Sequence, residues 1–116
     1  MTVLLLDDER SFKDGRSTLV ARRSTDAADL VKDLTELDEL WLDYVLIGSD
    51  SADEFLWHLI TRKREGNPLT LHKVYIHTSS FMAVSLLEKL LADLDVPKES
   101  IERVNHQDYF IVAGRR

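Results

Sequence analysis

Three groups of residues in this chain carry carboxylate, imidazole or hydroxyl atoms where they could act together. They are Asp7 with Asp8, Asp43, and His77 with Thr78 and Ser79. Two or three carboxylates on neighbouring strands form a hard-oxygen site suited to Mg²⁺, which takes one or two carboxylates and keeps several waters. A metal held there would neutralise a phosphoryl group, and a nearby hydroxyl could donate to its oxygens. His77 could serve as general acid or base on a phosphodiester. The same residues admit a plainer reading, in which the Asp pair is a solvated turn and Thr78 and Ser79 only cap a helix. In that reading His77 is a structural residue. Asp50 and Asp53 read as loop solvation and first-turn complements to a helix dipole.

The elements that must position these groups follow from hydrophobic patterning. Residues 3–6 (VLLL) are continuously apolar, as in a strand buried on both faces of a parallel sheet. Residues 9–18 are polar, contain Gly15, lack helical periodicity and read as a loop, and residues 19–23 as a weak second strand. Thr25 or Asp26 can cap a helix whose stripe is Ala27, Leu30, Val31, Leu34 and Leu37. Residues 39–47 read as a central strand containing Asp43. Ser51 with Glu54 has the spacing of a capping box, opening a helix that buries Phe55, Leu56, Leu59 and Ile60 and stops at Gly66. Residues 73–78 form a fourth strand. Ser79 or Ser80 then caps a helix with Ala83, Leu86, Leu87, Leu90, Leu91 and Leu94 inward, a stripe apolar enough for a core or for a homodimer face. Trp41, Trp57, Tyr44 and Phe55 read as packing residues, and Arg62–Lys63–Arg64 as a complement to a helix dipole. The tail holds strand-like pieces at 101–105 and 109–113 that could pair as a hairpin, with a turn at 106–108. Strands alternating with helices predict an α/β domain with a mainly parallel sheet, no first helix and a mixed C-terminal edge. In such a sheet ligands bind outside the carboxyl ends of the strands, where all three groups fall.

Composition narrows the function. The chain has 116 residues, which predicts one domain spanning 1–116. It contains no cysteine, which removes disulfides, thiolate metal sites and a cysteine nucleophile together. Its formal net charge of -6 argues against a surface built to grip double-stranded DNA. The apolar run at the N-terminus ends at Asp7, too early for a signal peptide or membrane span, so a cytoplasmic protein is expected. No Gly-rich phosphate loop, nucleophile elbow or kinase motif is present.

The acidic pair after strand one, the Asp of strand three and the hydroxyl after strand four resemble the site of response-regulator receiver domains. By that resemblance Asp43 would be the phosphoacceptor, Asp7 and Asp8 the Mg²⁺ carboxylates, and Thr78 the switch hydroxyl. The chain more closely resembles a divergent group, the cyclic-phosphate processing receiver domains. The likeness rests on residues 6–10 (LDDER), the missing first helix, Leu42–Asp43, and residues 76–79 (IHTS), and covers about residues 3–94. It implies a receiver-like, flavodoxin-like three-layer sandwich acting on cyclic-phosphate-containing nucleotides or RNA ends. The chain departs from the group in having Tyr44 and Val45 where a histidine and a second acid usually follow the strand-three Asp. Its glycine-rich loop is reduced to Gly48, and Ser79–Ser80 replace a small–Asn step. The lysine that ends the last strand of a conventional receiver has no equivalent, since Lys98 precedes the strand-like piece and Arg103 lies within it.

Taken together, these features predict a Mg²⁺-capable pocket of Asp7, Asp8 and Asp43, with His77, Thr78 and Ser79 at its rim, binding or processing a cyclic phosphate or phosphorylated ligand. As an enzyme it would be a metal-dependent cyclic-phosphate phosphoesterase. The rival expectations are a phosphoacceptor or pseudo-receiver signalling through a protein partner, and a non-catalytic interaction domain. If the acids cluster, removing one of them, as in Asp7→Asn, should stabilise the metal-free protein by relieving repulsion.

Overall fold

Four successive apolar residues with no polar face can only be satisfied between two layers, and β1 (Val3–Leu6) is buried at every position. In the computed structural model, which describes residues 1–78 and 80–112, β1 lies inside a five-stranded parallel sheet. Its neighbours are β3 (Leu19–Ala21) and β4 (Glu36–Leu42). β5 (Thr70–Ile76) and β6 (Ile101–Arg103) continue the sheet in the order β3-β1-β4-β5-β6. This is the α/β receiver-like architecture expected. The expected antiparallel C-terminal strand is present as β7 (Phe110–Val112). It pairs with β2 (Arg10–Phe12) in a separate two-stranded ribbon, whereas the sheet edge at β6 is parallel and, among the described residues, no tail hairpin forms. A short helix, α4 (His106–Tyr109), stands where a turn was expected.

Strand parity sorts the core into two sides. Leu4, Leu6, Leu40, Leu42, Val74 and Ile76 join the apolar stripes of three helices in one cluster. These are α1 (Ser24–Leu30), α2 (Ala52–Arg64) and α3 (Phe81–Asp93). On the opposite side Val3, Leu5 and Trp41 pack with Phe12 and Phe110 of the ribbon. Trp41 stacks on Tyr75 at 4.0 Å and meets Phe12 edge-on at 4.9 Å. The third layer of the sandwich is therefore the β2–β7 ribbon, which occupies the face left open by the missing first helix.

Several local expectations shift for identifiable reasons. The α1 stripe stops at Val31, and Leu37 instead begins the buried side of β4. Arg62, expected to complement a dipole at the surface, is buried and donates to the carbonyl oxygens of Val31, Leu34 and Asn67 at 3.0, 2.9 and 3.0 Å. Two of those bonds tie the carbonyls where the chain leaves α1, and the third ties the segment that follows α2. The Ser51–Glu54 capping box does not form, because the Ser51 hydroxyl bonds the Asp53 carboxylate. Gly66, with φ of 79°, closes α2 as its amide and that of Asn67 return to Lys63 and Arg62. Trp57 is largely exposed, unlike Trp41 and Phe55. The leucine stripe of α3 belongs to the core, leaving Phe81 and Met82 as its exposed apolar residues. None of the described helices is long and apolar enough to cross a membrane.

Asp50 is more than a solvating charge. It accepts from the amide and hydroxyl of Ser24, both at 2.6 Å, and so satisfies the first turn of α1 from another loop. Burial alone pushes its carboxyl up, but the Ser24 bonds and the Ser51 amide more than offset this and bring it below its ordinary value. Asp50→Ala is expected to cost about 1 kcal/mol at pH 7 in urea unfolding. Because the folded value is depressed, the stabilisation is complete above the ordinary 3.8 and fades as pH falls through the folded value. The gap between wild type and variant should close in that acid range, and an equal gap at every pH would refute the charged cap.

Candidate metal and phosphate site

Parallel register brings the site together. Leu6 lies beside Leu42, and Leu42 beside Ile76, so Asp7, Asp43 and His77 are each the next residue on three adjacent strands. The ladder continues one further rung: the Asp43 amide donates to Leu6 and the His77 amide to Leu42, at 3.0 and 2.9 Å. Asp43 thus lies just past its strand, not within it. With Trp41 and Tyr75 two residues earlier on the ribbon side, alternation turns Asp43 and His77 toward that side as well. Oxygen and nitrogen atoms of Asp7, Asp43 and His77 all lie within 4.8 Å of one another.

Each group is held differently. Asp7 is fully buried; its Oδ1 accepts from the amides of Glu9 and Arg10 at 2.9 and 2.8 Å, and its Oδ2 lies 3.0 Å from His77 Nε2. Burial alone pushes the Asp7 carboxyl up, yet the His77 bond and the two amides outweigh it and hold the carboxyl below its ordinary value. Asp43 accepts the Tyr44 amide at 2.8 Å on Oδ1, and its Oδ2 lies 3.3 Å from Arg10 Nη1. Burial and then the charge of Asp7 raise its carboxyl, with partial relief from His77, the Tyr44 amide and Arg10. Asp8 is raised by burial and by Asp7 and Glu9.

His77 is 1% exposed, and its Nδ1 has no hydrogen-bond partner among the described residues. Its Nε2 faces Asp7 Oδ2, and its ring lies 4.6 Å from the Phe110 ring, centroid to centroid. Thr78 is half-buried, and its Oγ1 accepts the Ser80 amide at 3.4 Å. Ser80 caps α3 by accepting the Ala83 amide at 3.2 Å. Ser79 lies outside the described residues. Asp8, Glu9, Arg10, Asp43, Val45, His77 and Thr78 line a cleft of about 320 Å³.

The tight group thus contains Asp7, Asp43 and His77, while Asp8 stands on the cleft wall. The donor set fits a divalent cation: two carboxylates suit Mg²⁺, and an imidazole in direct contact would suit Mn²⁺ or Zn²⁺ equally. With its Nε2 on Asp7, His77 would orient a ligating carboxylate from outside the ligand shell. Sequence reasoning missed Arg22. Its Nη1 donates to the carbonyl oxygens of Asp7 and Arg10 at 3.0 and 2.5 Å and its Nη2 to the Ser11 hydroxyl, pinning the segment that carries the site. An arginine after a short strand carries no signal of such a role, which depends on β3 lying beside β1.

A parallel sheet in this order, with acids on adjacent carboxyl ends, defines a receiver-like α/β domain. The chain belongs to the family of cyclic-phosphate processing receiver domains, whose family model matches residues 2–93. The match runs from β1 through α3 and contains every site residue described above; β6, α4 and β7 follow it. No curated protein matches the chain.

Proposed function

We propose that this domain binds, and as an enzyme opens, a cyclic phosphate on a nucleotide or RNA end, using Mg²⁺ held by Asp7 and Asp43 with Asp8 beside them. The observation that carries this reading is the register that places Asp7, Asp43 and His77 side by side in a chain of this family. Bound Mg²⁺ would polarise the phosphoryl group. The protein's own residues do the rest. Asp7 is held by His77 and two amides, Asp43 faces the cleft, and Thr78 lies where its hydroxyl can donate to a phosphoryl oxygen. His77 lines the cleft but is almost fully buried with its Nε2 on Asp7, so its assigned part is to orient that carboxylate. Incubation with 2′,3′-cyclic AMP and Mg²⁺ should give ring opening that chelation abolishes and Asp43→Asn removes. No turnover, together with no metal bound at millimolar Mg²⁺, would sink the reading.

A second reading follows from Asp43 reaching the cleft while Asp7 does not. Here Asp43 would accept a phosphoryl group and signal to a protein partner. Acetyl phosphate with Mg²⁺ should then add one phosphoryl mass to the wild type and none to Asp43→Asn.

A further inference from the structure

Among the described residues, Arg10 is the only lysine or arginine lining the cleft, which otherwise presents charged groups at Asp8, Glu9 and Asp43. A phosphate entering between those carboxylates needs a positive partner, which Arg10 can supply. Its backbone cannot drift. The amide is bound to Asp7 Oδ1, the carbonyl to Arg22, and the residue is paired with Val112 in the ribbon. The side chain is held far less firmly. Nη1 stands 3.3 Å from Asp43 Oδ2 and 3.6 Å from Asp7 Oδ2, and Nη2 stands 3.8 Å from Glu9. These separations exceed the roughly 2.7–2.9 Å of a firm charge-assisted bond, and the two-pronged face of the guanidinium grips no carboxylate. The Asp7 oxygen it approaches is also the one that meets His77, and Asp43 is the other carboxylate of that converging group. A guanidinium and a divalent cation cannot both neutralise these carboxylates at close range.

We propose that Arg10 is an exchange residue: it is the counter-ion of Asp43 and Asp7 in the metal-free protein, and it turns onto the phosphate of the ligand when a divalent cation takes those carboxylates. This rests on the metal reading above. It assigns Arg10 two opposing effects, as a competitor of the metal and as a binder of the anion. A purely structural arginine would have neither.

Two titrations test it on the whole chain: MgCl₂ by calorimetry, then inorganic phosphate at saturating Mg²⁺ by ³¹P NMR. Arg10→Ala should bind Mg²⁺ about tenfold more tightly, because a positive charge has left its immediate surroundings. The same variant should bind phosphate about tenfold or more weakly, having lost a charge-assisted donor. Arg10→Lys should return Mg²⁺ affinity to near wild type and recover phosphate binding only in part, since it restores the charge without the fork. Arg10→Gln keeps the aliphatic stem and should repeat the alanine pattern if the alanine variant folds poorly. Wild-type Mg²⁺ binding with no tightening in Arg10→Ala, or with undiminished phosphate binding, overturns the exchange and leaves the metal site standing. No Mg²⁺ binding by the wild type overturns both.

Discussion

Asp7→Asn should lower the melting temperature of the metal-free protein, while Asp43→Asn should raise it. Two acids in one cluster would be expected to respond alike if mutual repulsion governed both, and a stabilising Asp7→Asn is the outcome that simple clustering predicts. The geometry separates them. Asp7 is buried with an imidazole and two amides directed at it, so its charge is better satisfied in the fold than in the unfolded chain. An amide in its place weakens those bonds and should cost about 1–3 kcal/mol. Asp43 is buried beside Asp7 with one amide and a long contact to Arg10, and its charge is worse off in the fold. Removing it should give about 1 kcal/mol, a rise of about 4 °C for a domain of this size.

The pH dependences have opposite signs. The Asp7 stabilisation is present above the ordinary 3.8 and is lost as pH falls through its depressed folded value. The Asp43 penalty is absent at low pH and grows as pH rises from 3.8 through its elevated folded value. With Mg²⁺ both variants should lose the metal-dependent shift, with affinity falling at least about a hundredfold. Thermal unfolding of both variants from pH 3 to 8, with and without MgCl₂, checks all of this. A rise in melting temperature for Asp7→Asn would refute the assigned roles.

Phe110→Ala is expected to cost about 3 kcal/mol and to loosen the site although residue 110 lies beyond the family match. Its ring is buried, packs on Phe12 at 4.8 Å and meets Trp41 edge-on at 5.7 Å. It also packs against the buried His77 ring at 4.6 Å, centroid to centroid. Truncation opens a gap over His77 and removes the aromatic packing that backs the backbone ladder between β7 and β2, the strand that begins at Arg10. Urea unfolding should show the lost stability, and Trp41 should gain solvent exposure detectable as red-shifted emission. Ile111→Ala, on the same strand but 56% exposed, should change stability by less than about 0.5 kcal/mol. Equal effects of the two substitutions would show that the ribbon is not a packed layer.

How much was legible before any coordinates depended on whether the cause was local. β1 is readable because four consecutive apolar residues have no alternative to double burial. The buried faces of α2 and α3 are readable because their stripes recur at helical spacing, and Ser80 because an N-cap needs only the next turn. Asp7 and Asp8 are legible for the same reason, since a polar residue following a buried strand marks where the strand leaves the core, whereas Asp43 reads as part of a strand that in fact ends at Leu42. β2 was not legible: Arg10, Ser11 and Phe12 show no strand alternation and become a strand only because residues 110–112 return to pair with them. Arg62 reads as a dipole complement, Asp50 as loop solvation and Arg22 as part of a weak strand, because the groups they satisfy lie on other elements.

By itself, then, the sequence determined that this is an α/β chain with oxygen ligands and imidazole at the carboxyl ends of its strands, because hydrophobic period and residue type act within a few positions. Tertiary structure alone decided which of those groups meet. Register set Asp7, Asp43 and His77 on one level, and the ribbon covered His77 and brought Arg10 over the acids. It also decided that Asp7 and Asp43, identical in chemistry, carry charges of opposite consequence. The physical reason is that solvation and hydrogen bonding at a carboxylate are set by what surrounds it in space, and the decisive neighbours here, His77 for Asp7 and Asp7 for Asp43, lie tens of residues away along the chain.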